Sequence, residues 1–191
     1  MNDASVSKAA LRDAMLQKRR AMPFDIRAAA DEAIAKRVLQ SREYASASRV
    51  FAYVSMPHEV HTRFLLGEIL ADGKQLALPV CDTNRHTMQF YLLRSMDELK
   101  SGAYRIPVPP AVPARCVQPD AATLMLLPML AFDAEGYRLG AGGGYYDRYL
   151  SLYHPITMGL CYADCFVNAL PRNAYDRRML CCATEQRMED F

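Results

Sequence analysis

The chain has no apolar run of the length, about eighteen residues, that a membrane-spanning helix needs. Its opening, MNDASVSKAALRDAMLQKRR, lacks the apolar core of a secretory signal. Both absences predict a cytoplasmic protein that does not enter membranes. Net charge is nearly absent: 23 Lys/Arg against 21 Asp/Glu leave +2, too little to draw the protein to nucleic acid. Six cysteines occur but no C-x-x-C pair, and Cys161-x-x-x-Cys165 has no histidine beside it. That spacing excludes the usual thiolate zinc patterns and predicts reduced core thiols. The four histidines, His58, His61, His86 and His154, are scattered without ligand-like clustering, and no convincing Ser-His-Asp or Cys-His set presents itself. No internal repeat is visible.

What is present reads as alternating helices and strands. Residues 7–22 carry Ala10, Leu11, Ala14, Met15 and Met22 on a helical period behind Ser7, a suitable N-cap, and Pro23 ends the run. FDIRAAADEAIAKRVLQSREY predicts a second helix, with Ile26, Ala30, Ile34 and Leu39 on one side. Residues 1–43 hold nine Lys/Arg against six Asp/Glu, a mild excess that suits a solvated face or an anionic ligand. Strands are expected at about Val50–Ser55, in KQLALPV, HTMQFYLLR, TLMLLPML and PITMGLC, and last in RRMLCCAT, with a helix over HTRFLLGEILADG. Five prolines between Ile106 and Pro119 exclude a regular element there and suggest an ordered crossing or a lid. The pattern predicts an α/β fold with a mostly parallel sheet.

The densest signal is RLGAGGGYYDRYL, Arg138–Leu150, expected to join a strand to a helix running through His154. No Lys-Ser/Thr follows Gly144, so it is no P-loop, and G-A-G-G-G is no dinucleotide fingerprint. Two readings remain: a close-packed structural turn, or an anion cradle of bare backbone N–H groups facing phosphate. Asp147 would repel a phosphate unless a cation lay between, which brings in Mg²⁺; a plain helix-start aspartate satisfies the position equally well.

LPMLAFDAEGYRLGAGGGYYDRYL resembles the signature of the 5-formyltetrahydrofolate cyclo-ligase family, also called 5,10-methenyltetrahydrofolate synthetases. Lys8-Ala9-Ala10-Leu11-Arg12 is similar to the family's K-x-x-L-R, and Tyr53–Thr62 to its strand-end segment with a glutamate. Gly73-Lys74 with Leu78-Pro79, Ile106-Pro107 through Pro109, Leu170-Pro171 with Asp176, and Thr184 follow in the family's order. The chain departs from that pattern at His61, where an acidic residue is common, and at Cys165, where a glutamine often stands.

The resemblance implies a three-layer α/β domain over residues 1–191, with helices on both faces of the sheet. Its fold would resemble that of sugar-phosphate isomerases and CoA transferases, and its N-terminal region, 1–43, would contribute to an ATP site. It implies Mg²⁺-dependent use of ATP to turn 5-formyltetrahydrofolate into 5,10-methenyltetrahydrofolate, ADP and phosphate, by a monomer that binds neither nucleic acid nor membrane. Lys8, Arg12, Arg138, Gly140, Gly142, Gly143, Gly144, Tyr145 and Tyr146 would meet ATP. Met56, Glu59, Tyr104 and Tyr145 would meet the folate. Asp147 and Asp176 would hold the metal, and Arg148 with Tyr146 would act at the reacting groups. Read alone, Lys8 and Arg12 are two surface cations, Glu59 is a surface carboxylate before a helix, and Arg148 is as suited to pairing with a neighbour as to phosphate. A sugar-phosphate or CoA-ester enzyme and a non-catalytic folate-binding regulator are the rival readings.

Overall fold

The computed structural model describes residues 7–102 and 106–191. Ser7 caps the first helix: its Oγ accepts from the Ala10 amide at 3.2 Å, and α1 runs Lys8–Ala21. Pro23 has no N–H to continue that helix, so the chain turns and restarts as α2 (Phe24–Leu39). The single helix expected through Tyr44 is two, because Ser41 caps a separate α3 (Arg42–Ser46) by accepting from the Tyr44 amide. The buried stripe of α2 is Ala30, Ile34, Ala35 and Val38; it begins a turn later than expected and leaves Ile26 exposed.

β1 (Arg49–Phe51) precedes α4 (Arg63–Ala71), after which Gly73 takes the left-handed φ of +72° that stops the helix. β2 (Gln75–Asp82) and β3 (Thr87–Leu93) form an antiparallel hairpin, with Met88 and Phe90 buried. β4 (Lys100–Ser101) pairs with β5 (Pro107–Val108), and β6 (Cys116–Val117) pairs with β3. The proline-rich stretch thus carries two short bridges where none was expected; a proline lacks only the donor, so it is tolerated at such edges.

β7 (Thr123–Pro128) is the apolar strand, buried along nearly its whole length. The glycine loop does not follow it directly. A small hairpin intervenes, β8 (Ala131–Asp133) and β9 (Arg138–Leu139), whose turn is tied by buried Asp133 accepting from the Glu135 and Tyr137 amides at 3.0 Å each. α5 (Tyr145–Leu150) then has only six residues, not the run through His154 that was expected. Pro155 forces its predecessor out of helical conformation, so the helix must unwind early. β10 (Ile156–Leu160), β11 (Phe166–Val167), β12 (Cys181–Ala183) and β13 (Met188–Asp190) complete the chain.

The main sheet has the order β13-β12-β10-β7-β1-β2-β3-β6. The five strands from β12 to β2 are parallel; β13 and β3 run against them, and β6, antiparallel to β3, runs with them again. The fold is therefore α/β on a mixed, mostly parallel sheet. Val50 and Phe51 on β1, and Leu124–Leu127 on β7, are wholly buried, so the sheet centre is covered on both faces. Phe90 stacks on Phe51 at 4.4 Å and meets Tyr149 edge-on at 5.1 Å, pinning α5 to the β3 side. Each such buried ring contributes roughly 1.5–3 kcal/mol. From β1 the chain order grows one way to β2 and β3, and the other way to β7, β10 and β12. The crevice beyond the carboxyl ends of β1 and β7 is thus a topological switch point, where α/β folds bind ligands. Among the described residues, no helix is long and apolar enough to cross a membrane.

Candidate active site

A cleft of about 1090 Å³ opens at that switch point. Its floor is the strand ends, Tyr53–Val54 after β1 and Pro128–Leu130 after β7. One wall is the glycine loop with the start of α5, and the facing rim is α1, which brings Lys8 and Arg12 to the same side. Their four-residue spacing puts both on one helical face. The hairpin strand β2, with Cys81, and the proline segment, with Ile106–Val108, close the far side. The volume is at or beyond the upper end of the usual range for one small ligand, roughly 300–1,000 Å³.

Three of the four glycines are required by the loop itself. Gly142 and Gly144 hold φ of +110° and +67°, and a Cβ on Gly143 would stand 2.9 Å from the Tyr145 ring. Gly140 is different: a Cβ there would meet nothing within 4 Å. Its carbonyl accepts from Arg12 Nε at 2.9 Å, tying α1 to the loop. Arg148, on the outer edge, donates to Gly143 O at 2.6 Å and His86 O at 2.9 Å, and lies over the Tyr145 ring at 5.3 Å. It clamps the loop rather than projecting into the cleft as a free charge.

The charged wall is already internally paired. Arg138, nearly buried, donates to Asp147 Oδ1 at 2.8 Å and to Arg177 O at 2.9 Å. Asp147 Oδ1 also accepts from the Arg177 amide at 3.1 Å, while no hydrogen bond reaches its Oδ2 among the described residues. Lys8 Nζ lies 2.7 and 2.5 Å from the two oxygens of Asp176, one of which also accepts from the Asn173 amide. Two cations and two carboxylates thus line the mouth as pairs.

The other wall is apolar with few polar groups. Met56 and Glu59 follow β1, and the Glu59 carboxylate accepts from the Met56 amide at 2.8 Å. Burial raises the Glu59 pKa, against the opposing pull of that amide and of Arg19. Tyr146 points into the same region, where burial and then Glu59 push its hydroxyl well above the ordinary value.

Residues 4–185 match the model of the 5-formyltetrahydrofolate cyclo-ligase family. The 5-formyltetrahydrofolate cyclo-ligase of Mycolicibacterium smegmatis is 31% identical, over 95% of each chain. That of Mus musculus is 28% identical, over 91% of each. The solved 5,10-methenyltetrahydrofolate synthetase of Aquifex aeolicus superposes with a TM-score of 0.84 at 30% identity, covering 96% of this chain and 92% of the other.

The chain belongs to the 5-formyltetrahydrofolate cyclo-ligase family. It is accordingly a ligase of folate metabolism that uses ATP. Of the residues to which the cyclo-ligase resemblance gives an ATP, folate, metal or catalytic role, all within the described segments line this one cleft. Tyr104 lies outside the described residues. Arg138 is in the cleft wall, but its guanidinium is engaged by Asp147 and the Arg177 carbonyl. Arg148 is held by backbone carbonyls, the pairing alternative left open above. Sequence reading passed over Arg19, counted with the solvated charges yet wholly buried, and Tyr53, which looks like one more core aromatic. The signal for Arg19 is its spacing: Leu11, Met15 and Arg19 fall four apart, on the face that α1 turns inward. Of the cysteines expected in the core, Cys161, Cys165, Cys181 and Cys182 are there, whereas Cys81 and Cys116 are exposed on the β2 and β6 edge.

Proposed function

We propose that this chain closes 5-formyltetrahydrofolate to 5,10-methenyltetrahydrofolate in the switch-point cleft. ATP phosphates would lie on Gly140–Gly144 and the pterin against Glu59. The observation that carries this is the pairing of walls in one cleft: a glycine loop with Lys8 and Arg12 faces an apolar surface bearing one half-buried carboxylate, Glu59. An acceptor-only carboxylate suits the N–H edge of a reduced pterin, and Met56 and Tyr145 supply apolar or stacking surface for its rings.

The chemistry asks for positioning. The formamide oxygen attacks the γ-phosphorus as the bond to ADP breaks, giving an iminium phosphate. N10 of the same folate then attacks the activated carbon, the C–O bond breaks and phosphate leaves. No covalent enzyme intermediate is needed, so the enzyme contributes alignment, charge neutralisation and exclusion of water. Lys8 would exchange Asp176 for a phosphate oxygen when ATP arrives, and Arg12 would face the phosphates while holding the loop. Tyr146, and Arg148 through the loop and Tyr145, would fix the reacting ends.

The free Oδ2 of Asp147, and Asp176 once Lys8 has left it, fit Mg²⁺, which is commonly held by one or two carboxylates plus phosphate oxygens. Bound there, Mg²⁺ would neutralise charge on the transferred phosphoryl group. In this reading one domain over residues 1–191 acts as a cytoplasmic monomer on two small substrates.

The test is product absorbance: protein, 5-formyltetrahydrofolate and Mg²⁺ should give the near-ultraviolet band of the methenyl product only after ATP is added. Gly140→Ala separates cradle from scaffold. Its added methyl meets nothing in the protein, so the melting temperature should hold, while the KM for ATP rises about tenfold as the methyl enters phosphate space. An unchanged KM would show that the phosphates lie elsewhere.

A further inference from the structure

One polar group at the floor of the cleft finds no partner among the described residues. Tyr53, just beyond the end of β1, is 4% exposed and lines the cleft. Its hydroxyl oxygen is buried and has no hydrogen-bond partner among the described residues. Buried hydroxyls are ordinarily paired, and a phenylalanine would fill the same space without loss. An orphaned donor in a ligand cleft is therefore a donor waiting for a ligand acceptor.

The neighbours say which acceptor. Burial first, then Glu59 and Tyr146, hold the Tyr53 hydroxyl well above the ordinary tyrosine range against the opposing pull of Arg19, so it stays a neutral O–H. Glu59 is an acceptor and fits the N–H groups of a pterin edge. A carbonyl stands next to those N–H groups on the same ring, and an acceptor-only carboxylate cannot serve it. We propose that the Tyr53 hydroxyl is a further folate-binding contact, donating to the ring carbonyl of the pterin beside the N–H edge that Glu59 accepts. This rests on the placement of the pterin against Glu59.

Tyr53→Phe tests it, with Glu59→Gln measured alongside. Tyr53→Phe should raise the KM for 5-formyltetrahydrofolate about tenfold, the size of one lost hydrogen bond, and leave kcat and the KM for ATP within about twofold. Its melting temperature should be equal or higher, since no hydrogen bond of that hydroxyl with the described residues is lost. An unchanged folate KM overturns the inference. So does a lowered melting temperature with both KM values shifted, which would mark the hydroxyl as structural. If Glu59→Gln moves the folate KM and Tyr53→Phe does not, only the Tyr53 contact fails. If neither moves it, the placement of the pterin fails and the contact fails with it.

Discussion

Asp147→Asn should abolish ATP-dependent formation of the methenyl product and, in the same protein, lower the melting temperature. The two losses have different origins. Asp147 Oδ1 is the only carboxylate oxygen bonded to Arg138 among the described residues, at 2.8 Å, and the Arg138 side chain is 3% exposed. Burial pulls the Arg138 pKa down, and Asp147 is the first group opposing that pull. Removing a partner from a buried pair costs about 3–5 kcal/mol; an asparagine keeps the acceptor but not the charge, so about 1–3 kcal/mol is expected. At roughly 2–4 °C per kcal/mol for a chain of this size, the melting temperature falls by several degrees. The activity loss should be larger, about 100-fold or more, because on the proposed reading the carboxylate that would hold Mg²⁺ beside the transferred phosphoryl group is gone. Arg138→Met/Asp147→Ala separates the two: it removes both charges and should regain much of the stability. If activity returns with stability, Asp147 serves only to hold Arg138 and has no part in binding metal or phosphate.

Much of this site could be read locally. Ser7 as a cap, the four-residue spacing of Lys8 and Arg12, and glycine density after an apolar strand are short-range signals, and each marks a piece that lines the cleft. What was illegible is long-range or short in itself. The Lys8–Asp176 pair joins residues 168 apart, and nothing near either residue announces the other. Strands of two or three residues, such as β8, β9 and β11, are too brief to show alternation, so the hairpin before the glycine loop went unread. The glycines were read through their number, yet only the backbone shows that Gly142, Gly143 and Gly144 answer to the loop's own geometry and that Gly140 is the one left open. Whether a hydroxyl finds a partner is a property of the folded interior, so Tyr53 could not be told from any other core aromatic.

The largest stability change is expected at Arg19, where Met is the apolar replacement of similar reach. The guanidinium donates to Met129 O at 2.8 Å, Leu130 O at 2.9 Å and His58 O at 3.0 Å, with Cys161 Sγ at 3.2 Å and the Tyr162 ring at 5.1 Å. It therefore fastens α1 to the segments that leave β1 and β7, the two strands on either side of the switch point. Arg19→Met leaves two buried carbonyls and the half-buried one of His58 without their donor, about 3–5 kcal/mol, or a fall of roughly 6–20 °C in melting temperature. A scan showing a fall of less than about 2 °C would refute the staple. Arg19 also accounts for His58, which holds a left-handed φ of +71° without being glycine. Such a conformation costs on the order of 1–3 kcal/mol and persists where the surroundings dictate it. The bond from Arg19 to the His58 carbonyl is one such constraint, and Glu59 is the next residue. Below the melting transition, Arg19→Met should consequently raise the KM for both substrates, since α1 carries Lys8 and Arg12 while His58 positions Glu59. The substitution also removes a positive charge that opposes the burial-driven rise of the Glu59 pKa, so folate binding should fail at a higher pH on acidification than in the parent. A folate KM that moved only with temperature and not with pH would confine Arg19 to a mechanical role.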